Sequence, residues 1–360
     1  MSRRLKVAIV GLGIGGQHAE AYAKLPDLFE IAAVCDLDDA RLEEAARRFG
    51  APHRLKDYAE LLRLDGLDIV DICTPPHAHF GLIASALAAG KHVVCEKPLV
   101  GSLADVDRLA VLERESSGRI MPIFQYRFGN GLQRLKYLSD RGLVGTPYLT
   151  TIETAWFRGA DYYATQWRGK WATEMGGVCL TQAIHSHDML SYINGPIRRL
   201  FARVATRVNK IEVEDCAAVS VEMENGSLAT LSATLGSATQ ISRLRFAFSD
   251  VTAESNLDPY RPSRDPWTFV SIWPDKQALI DVALKDFKPQ REFFEGQFER
   301  MHEALTKGGD LPVTLADARA SLELITAIYH SARTGEAVDF PIGPDHPLYR
   351  GWLPADHCKA

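Results

Sequence analysis

The segment Glu96-Lys97-Pro98 places a lysine where a predicted strand ends. A short run from 92 to 95, with two adjacent valines, predicts a buried strand, and the charged pair and proline after it end that strand. Open α/β sheets bind their ligands at the carboxyl ends of their strands, so Lys97 is a candidate catalytic amine. Pro98 would stiffen the turn that aims it. The alternative is an ordinary surface Lys-Pro turn.

A second candidate is a histidine in a predicted helix that contains Thr181, His185 and Asp188. The i, i+4, i+7 spacing puts the three side chains on one helical face. An imidazole titrates near neutral pH, so His185 beside a lysine amine would suit removal of an alcohol proton as a hydride departs. Asp188 could hold the ring and favour its protonated form. The alternative for His185 is a hydrogen-bonded histidine in the core.

Three glycines, Gly11, Gly13 and Gly16, lie between a predicted strand and a predicted helix with the spacing G-x-G-x-x-G. In a dinucleotide-binding turn the first glycine makes the tight bend and the second admits a pyrophosphate. The third lets the helix pack on the strand. Backbone N–H groups at the helix start, with Ile14 among the candidates, then bind the phosphates.

Asp36 follows the next predicted strand, Phe29–Cys35. A carboxylate at this position hydrogen-bonds the ribose hydroxyls of a dinucleotide and repels a 2′-phosphate, which predicts NAD rather than NADP. The alternative is that Asp36 caps the next helix, although Asp38 or Asp39 could also do so.

The loop Thr74-Pro75-Pro76-His77-Ala78-His79 follows a predicted strand that ends at Cys73, at the same edge as the glycine turn. We expect this edge to border the cofactor. The alternative for both histidines is that they cap the next helix. The candidates for contact with the cofactor at this edge are Thr74, Pro75, His77, His79, Glu96 and Lys97.

The segment from 156 to 171 is dense in aromatic residues and arginine. Aromatic faces pack against the C–H face of a sugar, and arginine donates to hydroxyls or a carboxylate. The alternative is a loop folded over the core. The candidates for contact with substrate are Lys97, Arg127, Trp167, Arg168, Thr181, His185 and Asp188.

The order of elements predicts an α/β chain. Strands alternate with helices up to residue 125, which predicts a doubly wound parallel sheet. Later strands alternate apolar and polar residues, with a hairpin turn at Glu224-Asn225-Gly226-Ser227, which predicts an antiparallel sheet with one solvated face. We therefore predict a dinucleotide-binding domain over 1–125 and a substrate-binding α+β domain over 126–360. The helical patterns Arg291 to Lys307 and Leu315 to Thr334 complete the second domain or return to the first.

Composition limits the possible partners. The 360 residues carry a formal net charge of -5, and no apolar segment approaches the roughly 20 residues that span a bilayer, so neither nucleic acid nor membrane is expected as a partner. The amino terminus lacks the pattern of a signal peptide, which predicts a cytoplasmic protein. No metal site is expected, because the six cysteines, Cys358 among them, form no C-x-x-C pair. His185 and His187 would point about 200° apart on a helix.

Together, Gly11-x-Gly13-x-x-Gly16, Thr74-Pro75-Pro76-x-x-His79, Glu96-Lys97-Pro98 and His185-x-x-Asp188 resemble the Gfo/Idh/MocA family over almost the entire chain. The resemblance implies a Rossmann domain followed by a domain whose open, mostly antiparallel mixed sheet forms the substrate wall. It also implies a homodimer or homotetramer through that sheet. The implied activity is NAD(P)-dependent oxidation or reduction at a CH–OH carbon of a sugar or polyol. In the family, the lysine matching Lys97 is catalytic and its bond to proline is often cis.

One departure from the family pattern falls at Thr181, where Asp or Asn is common. A hydroxyl cannot supply the charge of a carboxylate, so the positioning of substrate is affected. Two other functions stay open. One is a sensor that binds dinucleotide without chemistry, and the other is a glycosidase that oxidises and re-reduces one carbon with transient use of NAD.

Overall fold

The computed structural model describes residues 3–354, and these residues form two compact units. The first unit contains the residues up to Ile123 together with Phe294–Arg319, and the second contains Phe124–Phe293 and the residues from Ala320 onward. The predicted domain boundary at residue 125 stays a prediction. Cys358 lies outside the described residues. In the described part of the chain, no helix has the length and apolar character needed to cross a membrane.

The first unit is built on a parallel sheet with the strand order β3-β2-β1-β4-β5-β6. The strands are β1 (Leu5–Val10), β2 (Phe29–Cys35), β3 (His53–Leu55), β4 (Ile69–Ile72), β5 (His92–Cys95) and β6 (Ile120–Pro122). The helices between them are α1 (Gly15–Ala23), α2 (Asp39–Phe49), α3 (Tyr58–Leu62), α4 (His79–Ala88) and α5 (Leu103–Glu115). The predicted doubly wound sheet is confirmed. Its strand order reverses between β1 and β4, where such sheets bind ligands.

The second unit contains an open mixed sheet with the order β13-β12-β11-β7-β10-β9-β8-β14. Its strands are β7 (Pro147–Phe157), β8 (Ile197–Ala205), β9 (Cys216–Met223), β10 (Leu228–Thr234), β11 (Gly236–Phe248), β12 (Thr252–Glu254), β13 (Thr268–Val270) and β14 (Val338–Asp339). Strands β7 and β10 pair in parallel, and the other described pairs are antiparallel. The predicted mostly antiparallel mixed sheet is therefore confirmed. Gly226, with φ +83°, makes the β9–β10 hairpin turn.

The remaining helices are α6 (Asn130–Ser139), α7 (Ala160–Tyr163), α8 (Trp171–Glu174), α9 (Val178–Thr181), α10 (Ile184–Asn194), α11 (Pro274–Asp286), α12 (Phe293–Lys307) and α13 (Leu315–Thr334). The sequence left open whether the helical pattern from Arg291 completes the second domain or returns to the first. The residues of α12 from Phe294 onward belong to the first unit. Phe298 of α12 stacks on Tyr22 of α1 with ring centroids 4.1 Å apart. Gln297 Nε2 donates to the carbonyl of Pro122, 2.7 Å away.

A buried carboxylate, that of Glu214, fixes the segment that precedes α10 and its His185. It accepts the backbone N–H groups of Gly177 and Cys179 at 3.0 Å and the hydroxyl of Tyr329 at 3.1 Å. A Cβ on Gly177 would lie 1.7 Å from the Glu214 carbonyl oxygen, so only glycine allows this approach. Burial raises the pKa of Glu214 to about 7, although its hydrogen bonds favour the ionised form.

This pKa makes part of the folding free energy depend on pH. The folded pKa of Glu214 is above its ordinary value of 4.5, so the protonated carboxyl stabilises the fold below that value. The contribution is lost as the pH rises through about 7. We expect Glu214→Gln to remove this component, so that the stability difference between variant and wild type shifts in favour of the variant between about pH 5 and about pH 8.

Urea denaturation across that range measures the difference. The matched control is Glu224→Gln, which makes the same substitution at an exposed glutamate of the same unit. A pH-independent difference for Glu214→Gln would contradict the assignment.

Candidate functional site

The glycine turn of the first unit has a shape that only glycine allows at its first position. Gly11 has φ +88°, and its N–H donates to the carbonyl of Cys35 at 2.8 Å. A Cβ there would lie 2.8 Å from the carbonyl oxygen of Cys73. A Cβ on Gly13, in contrast, would have no atom within 4 Å. The turn therefore keeps space beside its backbone at Gly13, which fits the pyrophosphate of a dinucleotide.

The packing of α1 on the sheet corrects one prediction. We expected Gly16 to allow close contact between helix and strand, but a Cβ on Gly16 would meet nothing within 4 Å. The close contact is at Gly15, where a Cβ would lie 3.0 Å from Ile9 Cγ2 and 3.2 Å from Cys73 Cβ. The reason is that α1 begins at Gly15, and this first residue of the helix faces Ile9 of β1. Ile14 occupies the N-cap position.

Asp36 lies beside the glycine turn, as the sequence predicts for a residue that contacts the ribose. Its Oδ2 accepts the N–H of Leu12 at 2.6 Å, and its Oδ1 accepts the N–H of Asp38 at 2.9 Å. The cap of α2 is Asp38, whose carboxylate accepts the N–H groups of Ala40 and Arg41. The alternative interpretation of Asp36 as the helix cap is therefore wrong.

The loop after β4 adjoins the glycine turn, because a Cβ on Gly11 would lie 3.0 Å from the backbone nitrogen of Thr74. The ring of His79 is buried between two loops. Its Nε2 lies 2.8 Å from the carbonyl oxygen of Thr74, and its Nδ1 lies 3.0 Å from that of Pro98. Burial lowers the pKa of His79. The ring thus braces the two loops, while His77 is exposed in a 3₁₀ turn and its contact with cofactor stays a prediction, as does that of Pro75.

Lys97 is half-buried and lies two residues after the end of β5. The Lys97–Pro98 peptide bond is cis, as the family resemblance implied. Glu96 is buried, and its Oε2 accepts the backbone N–H of Lys97 at 3.0 Å. The carboxylate thereby fixes the backbone from which the candidate catalytic amine extends.

Behind Glu96 lies a buried cluster that the sequence analysis missed. His18 Nε2 is 3.1 Å from Glu96 Oε1, and His18 Nδ1 is 2.9 Å from Asp71 Oδ2. Cys73 Sγ lies 3.4 Å from the same Nδ1. Two signals were present in the sequence. Asp71 is a charged residue within the apolar strand β4, and His18 is a polar residue on the buried face of α1.

Charges decide the protonation of this cluster. Burial alone would lower the pKa of His18, but Asp71 overrides that effect through its charge and hydrogen bond, and the pKa is raised well above the usual value. Burial raises the pKa of the Cys73 thiol. His18, Asp71 and Cys73 bring metal-ligand atoms within 4.8 Å of one another. Hydrogen bonds of His18 to Asp71 and Cys73 already join these atoms, and the expected absence of a metal site stays a prediction.

In the second unit, His185 lies buried in α10 with its ring stacked on Tyr126, the centroids 4.5 Å apart and the planes at 14°. Near it, the guanidinium of Arg127 forms a buried bidentate pair with Asp188, at 2.7 Å from Nε and 2.6 Å from the second nitrogen. No pattern in the sequence indicates the Tyr126 contact. The predicted roles of Arg127 and Asp188 toward substrate, and of Asp188 toward the imidazole, stay predictions.

The single helical face predicted for Thr181, His185 and Asp188 is wrong, because the helix is interrupted. Helix α9 ends at Thr181, and α10 begins at Ile184. The Thr181 hydroxyl lies 2.8 Å from the carbonyl oxygen of Gly177, four residues back, a contact that competes with regular helix geometry. Only His185 and Asp188 share a continuous helix.

The aromatic segment forms a connected network in the second unit. The Arg168 guanidinium lies 4.0 Å from the centroid of the Tyr162 ring and 4.3 Å from that of the Trp167 ring. It also pairs with the buried carboxylate of Glu174 at 3.3 Å. Tyr162 OH accepts from Gln182 Nε2 at 2.9 Å. The segment is thus held by its own contacts, and the contact of Trp167 and Arg168 with substrate stays a prediction.

Comparison with known families gives matches to both parts of the chain. Residues 5–124 match the model of the oxidoreductase family with the NAD-binding Rossmann fold, and residues 132–254 match the GFO/IDH/MocA C-terminal domain. The first unit therefore contains an NAD-binding Rossmann domain.

Three relatives illustrate the similarity. The chain is 29% identical to the myo-inositol 2-dehydrogenase of Thermotoga maritima over 235 residues, 63% of this chain and 67% of the relative. It is 27% identical to the D-apiose dehydrogenase of Rhizobium rhizogenes over 347 residues, 93% and 97% of the two chains. The WlbA dehydrogenase of Bordetella pertussis, crystallised with NADH and UDP-GlcNAcA, matches with a TM-score of 0.83 and 26% identity over 95% and 99% of the chains.

The glycine geometry predicts opposite outcomes for two adjacent substitutions. Gly15→Ala forces a methyl group against Ile9 and Cys73, and we expect it to lower the free energy of unfolding by about 1 to 3 kcal/mol. Gly16→Ala meets no atom, and we expect a neutral or slightly stabilising effect of up to about 1 kcal/mol. Urea denaturation of both variants measures the difference, and equal stabilities would contradict the packing described.

Proposed function

The chain belongs to the Gfo/Idh/MocA oxidoreductase family, and from this membership we propose that it is an NAD-dependent dehydrogenase of a sugar, polyol or sugar derivative. The observation that carries the proposal is Lys97 at the carboxyl end of β5 in an NAD-binding unit, with its backbone held by Glu96. The relatives named above as dehydrogenases of myo-inositol and apiose support the substrate class.

The main candidate residues divide the work of this proposal between cofactor binding and proton transfer. The glycine turn binds the pyrophosphate beside Gly13, and Asp36 binds the ribose. When bound, NAD supplies the nicotinamide ring that accepts a hydride from the carbinol carbon. As the hydride leaves, the one hydroxyl proton passes to a base, and Lys97 and His185 are the two groups proposed to handle it. Positioned acid and base groups typically contribute about 10²- to 10⁴-fold to a rate.

The second unit supplies the proposed substrate contacts. Arg168 and Trp167 offer a cation and an aromatic face, and Thr181 a hydroxyl in place of the family's usual carboxylate or amide. We also propose that the second sheet forms the interface of a homodimer or homotetramer. Apolar side chains exposed on its strands support this, namely Tyr148, Phe157, Phe201 and Leu228.

A panel of sugars, polyols and sugar acids, assayed by NADH absorbance with NADP in parallel, tests the proposed activity. We expect NADH to form with at least one compound. A bound dinucleotide whose redox state no compound changes would contradict the proposal and favour a sensor. Release of free sugar without net NADH would favour a glycosidase.

We expect Lys97→Ala to lose turnover by about 10²- to 10⁴-fold while it retains NAD affinity, because the amine acts on the substrate proton. Steady-state kinetics and titration of NADH fluorescence measure the two effects. Lys91→Ala, at the amino end of the same strand, is the matched control and should keep wild-type turnover. Unchanged turnover in Lys97→Ala would remove this residue from the mechanism.

We expect Asp36→Ala to raise the ratio of kcat/KM for NADP to that for NAD by about tenfold or more, because repulsion of the 2′-phosphate is lost. The matched control is Asp38→Ala, which removes a nearby exposed carboxylate that caps α2 and should leave the ratio unchanged. An unaltered ratio in Asp36→Ala would contradict the ribose contact.

A further inference from the structure

The imidazole of His18 is completely buried, and each of its ring nitrogens faces a carboxylate of a different strand end. Nδ1 lies 2.9 Å from Asp71 Oδ2 on β4, and Nε2 lies 3.1 Å from Glu96 Oε1 after β5. The other oxygen of Glu96 accepts the backbone N–H of Lys97 at 3.0 Å. A continuous chain of hydrogen bonds thus runs from Asp71 to the backbone of Lys97.

The two buried carboxylates favour a positive charge on the imidazole between them. Carboxylates in a buried environment repel each other and lose hydration when ionised, and a cation between them offsets both costs. Asp71 faces His18 from β4, and Cys73 faces it from the residue after β4. Glu96 faces it from the end of β5, and Tyr22 lies on the same helix as His18. Helix α12 covers the ring with Phe294 and Phe298. The cation available within this group is His18 itself.

We propose that His18, as a buried imidazolium, is a positioning residue for Lys97, because it keeps Glu96 ionised and oriented to hold the Lys97 backbone. Its effect on turnover rests on the proposed function, whereas its effect on the Lys97 backbone does not. Neither the catalytic nor the cofactor candidates from the sequence include His18.

The first experiment measures hydrogen exchange at the Lys97 amide in wild type and in His18→Gln, by mass spectrometry with fragmentation around residues 95–99. Glutamine cannot supply the charge, so we expect exchange to be about tenfold faster, equivalent to ~1.4 kcal/mol of lost protection. The exchange rates of the backbone amides in β5 should not change.

The matched control is His302→Gln. This histidine is equally buried in the first unit, and its Nε2 lies 2.8 Å from the carbonyl oxygen of Arg3. A loss of global stability would accelerate exchange in both variants and across β5. Equal exchange at Lys97 in wild type and His18→Gln would overturn the proposal, as would acceleration of the same size in His302→Gln.

If His18→Gln does not fold, Glu96→Gln tests the same chain from the other end. It keeps a hydrogen-bonding side chain but removes the charge, and we expect faster exchange at the Lys97 amide here as well. Protection equal to that of wild type would overturn the proposal.

Ring ¹⁵N shifts of labelled histidine test the charge directly. We expect one of the 11 histidines to keep both ring nitrogens protonated well above its ordinary titration range, and this signal to be missing in His18→Gln. A neutral His18 at neutral pH would overturn the proposal. The proposal would also be overturned if purified wild type contained one equivalent of a metal ion and His18→Gln contained none, because a metal would then occupy the cluster.

Steady-state kinetics distinguish the positioning role of His18 from the proposed dehydrogenase activity. The substrate is any compound that the enzyme oxidises in the panel. We expect kcat to fall about tenfold in His18→Gln with KM for NAD unchanged, and His18→Gln to have no further effect in a Glu96→Gln background. Additive effects would overturn the role of Glu96 as the link. Rapid Lys97 exchange in His18→Gln without turnover on any compound would leave the positioning role intact and contradict the proposed function alone.

Discussion

The proposed chemistry of the first unit depends on the hydrogen bonds made by the buried carboxylate of Glu96. One of its oxygens fixes the backbone of Lys97, and the other faces the imidazole of His18. A carboxylate this buried is costly unless a cation and donors satisfy it. The fold meets that requirement with residues from α1, β4 and the end of β5, so the positioning of the candidate amine is built into the core of the sheet rather than into a surface loop.

The same sheet edge collects the features that a dinucleotide requires. The turn after β1 is forced to use glycine by its φ and by the close approach of Cys73, and Asp36 after β2 holds the N–H of Leu12 within that turn. The loop after β4 is tied to the Lys97–Pro98 turn by the buried ring of His79. These contacts converge where the strand order reverses, which is where a doubly wound sheet leaves space for a ligand.

Sequence patterns predicted the parts that depend on local rules. Strand β5 was predicted with its observed bounds, because a β-branched apolar run between a glycine and a charged pair has few other interpretations. Strand β3 was missed because its residues, His53 to Leu55, show no apolar alternation, and α11 was missed because it buries little beyond Ile280.

The parts that depend on long-range contacts could not be predicted in this way. The partners of His18 are 53 and 78 residues away, so the sequence shows two misplaced polar residues but not that they meet. Helical periodicity likewise cannot predict that the Thr181 hydroxyl contacts the Gly177 carbonyl. This contact lies at the end of α9, where the helix breaks before α10. In the glycine turn, the motif predicts that Gly16 packs against the strand, but the close contact is made by its neighbour Gly15.

The proposed activity requires hydride transfer from a carbinol carbon to NAD. This transfer can be followed with a substrate from the panel that carries deuterium at its CH–OH carbon, by measuring the mass of the reduced cofactor. We expect one deuterium to appear in the nicotinamide ring and turnover to slow by a primary isotope effect. Reduced cofactor without deuterium, or oxidised product without reduced cofactor, would contradict it.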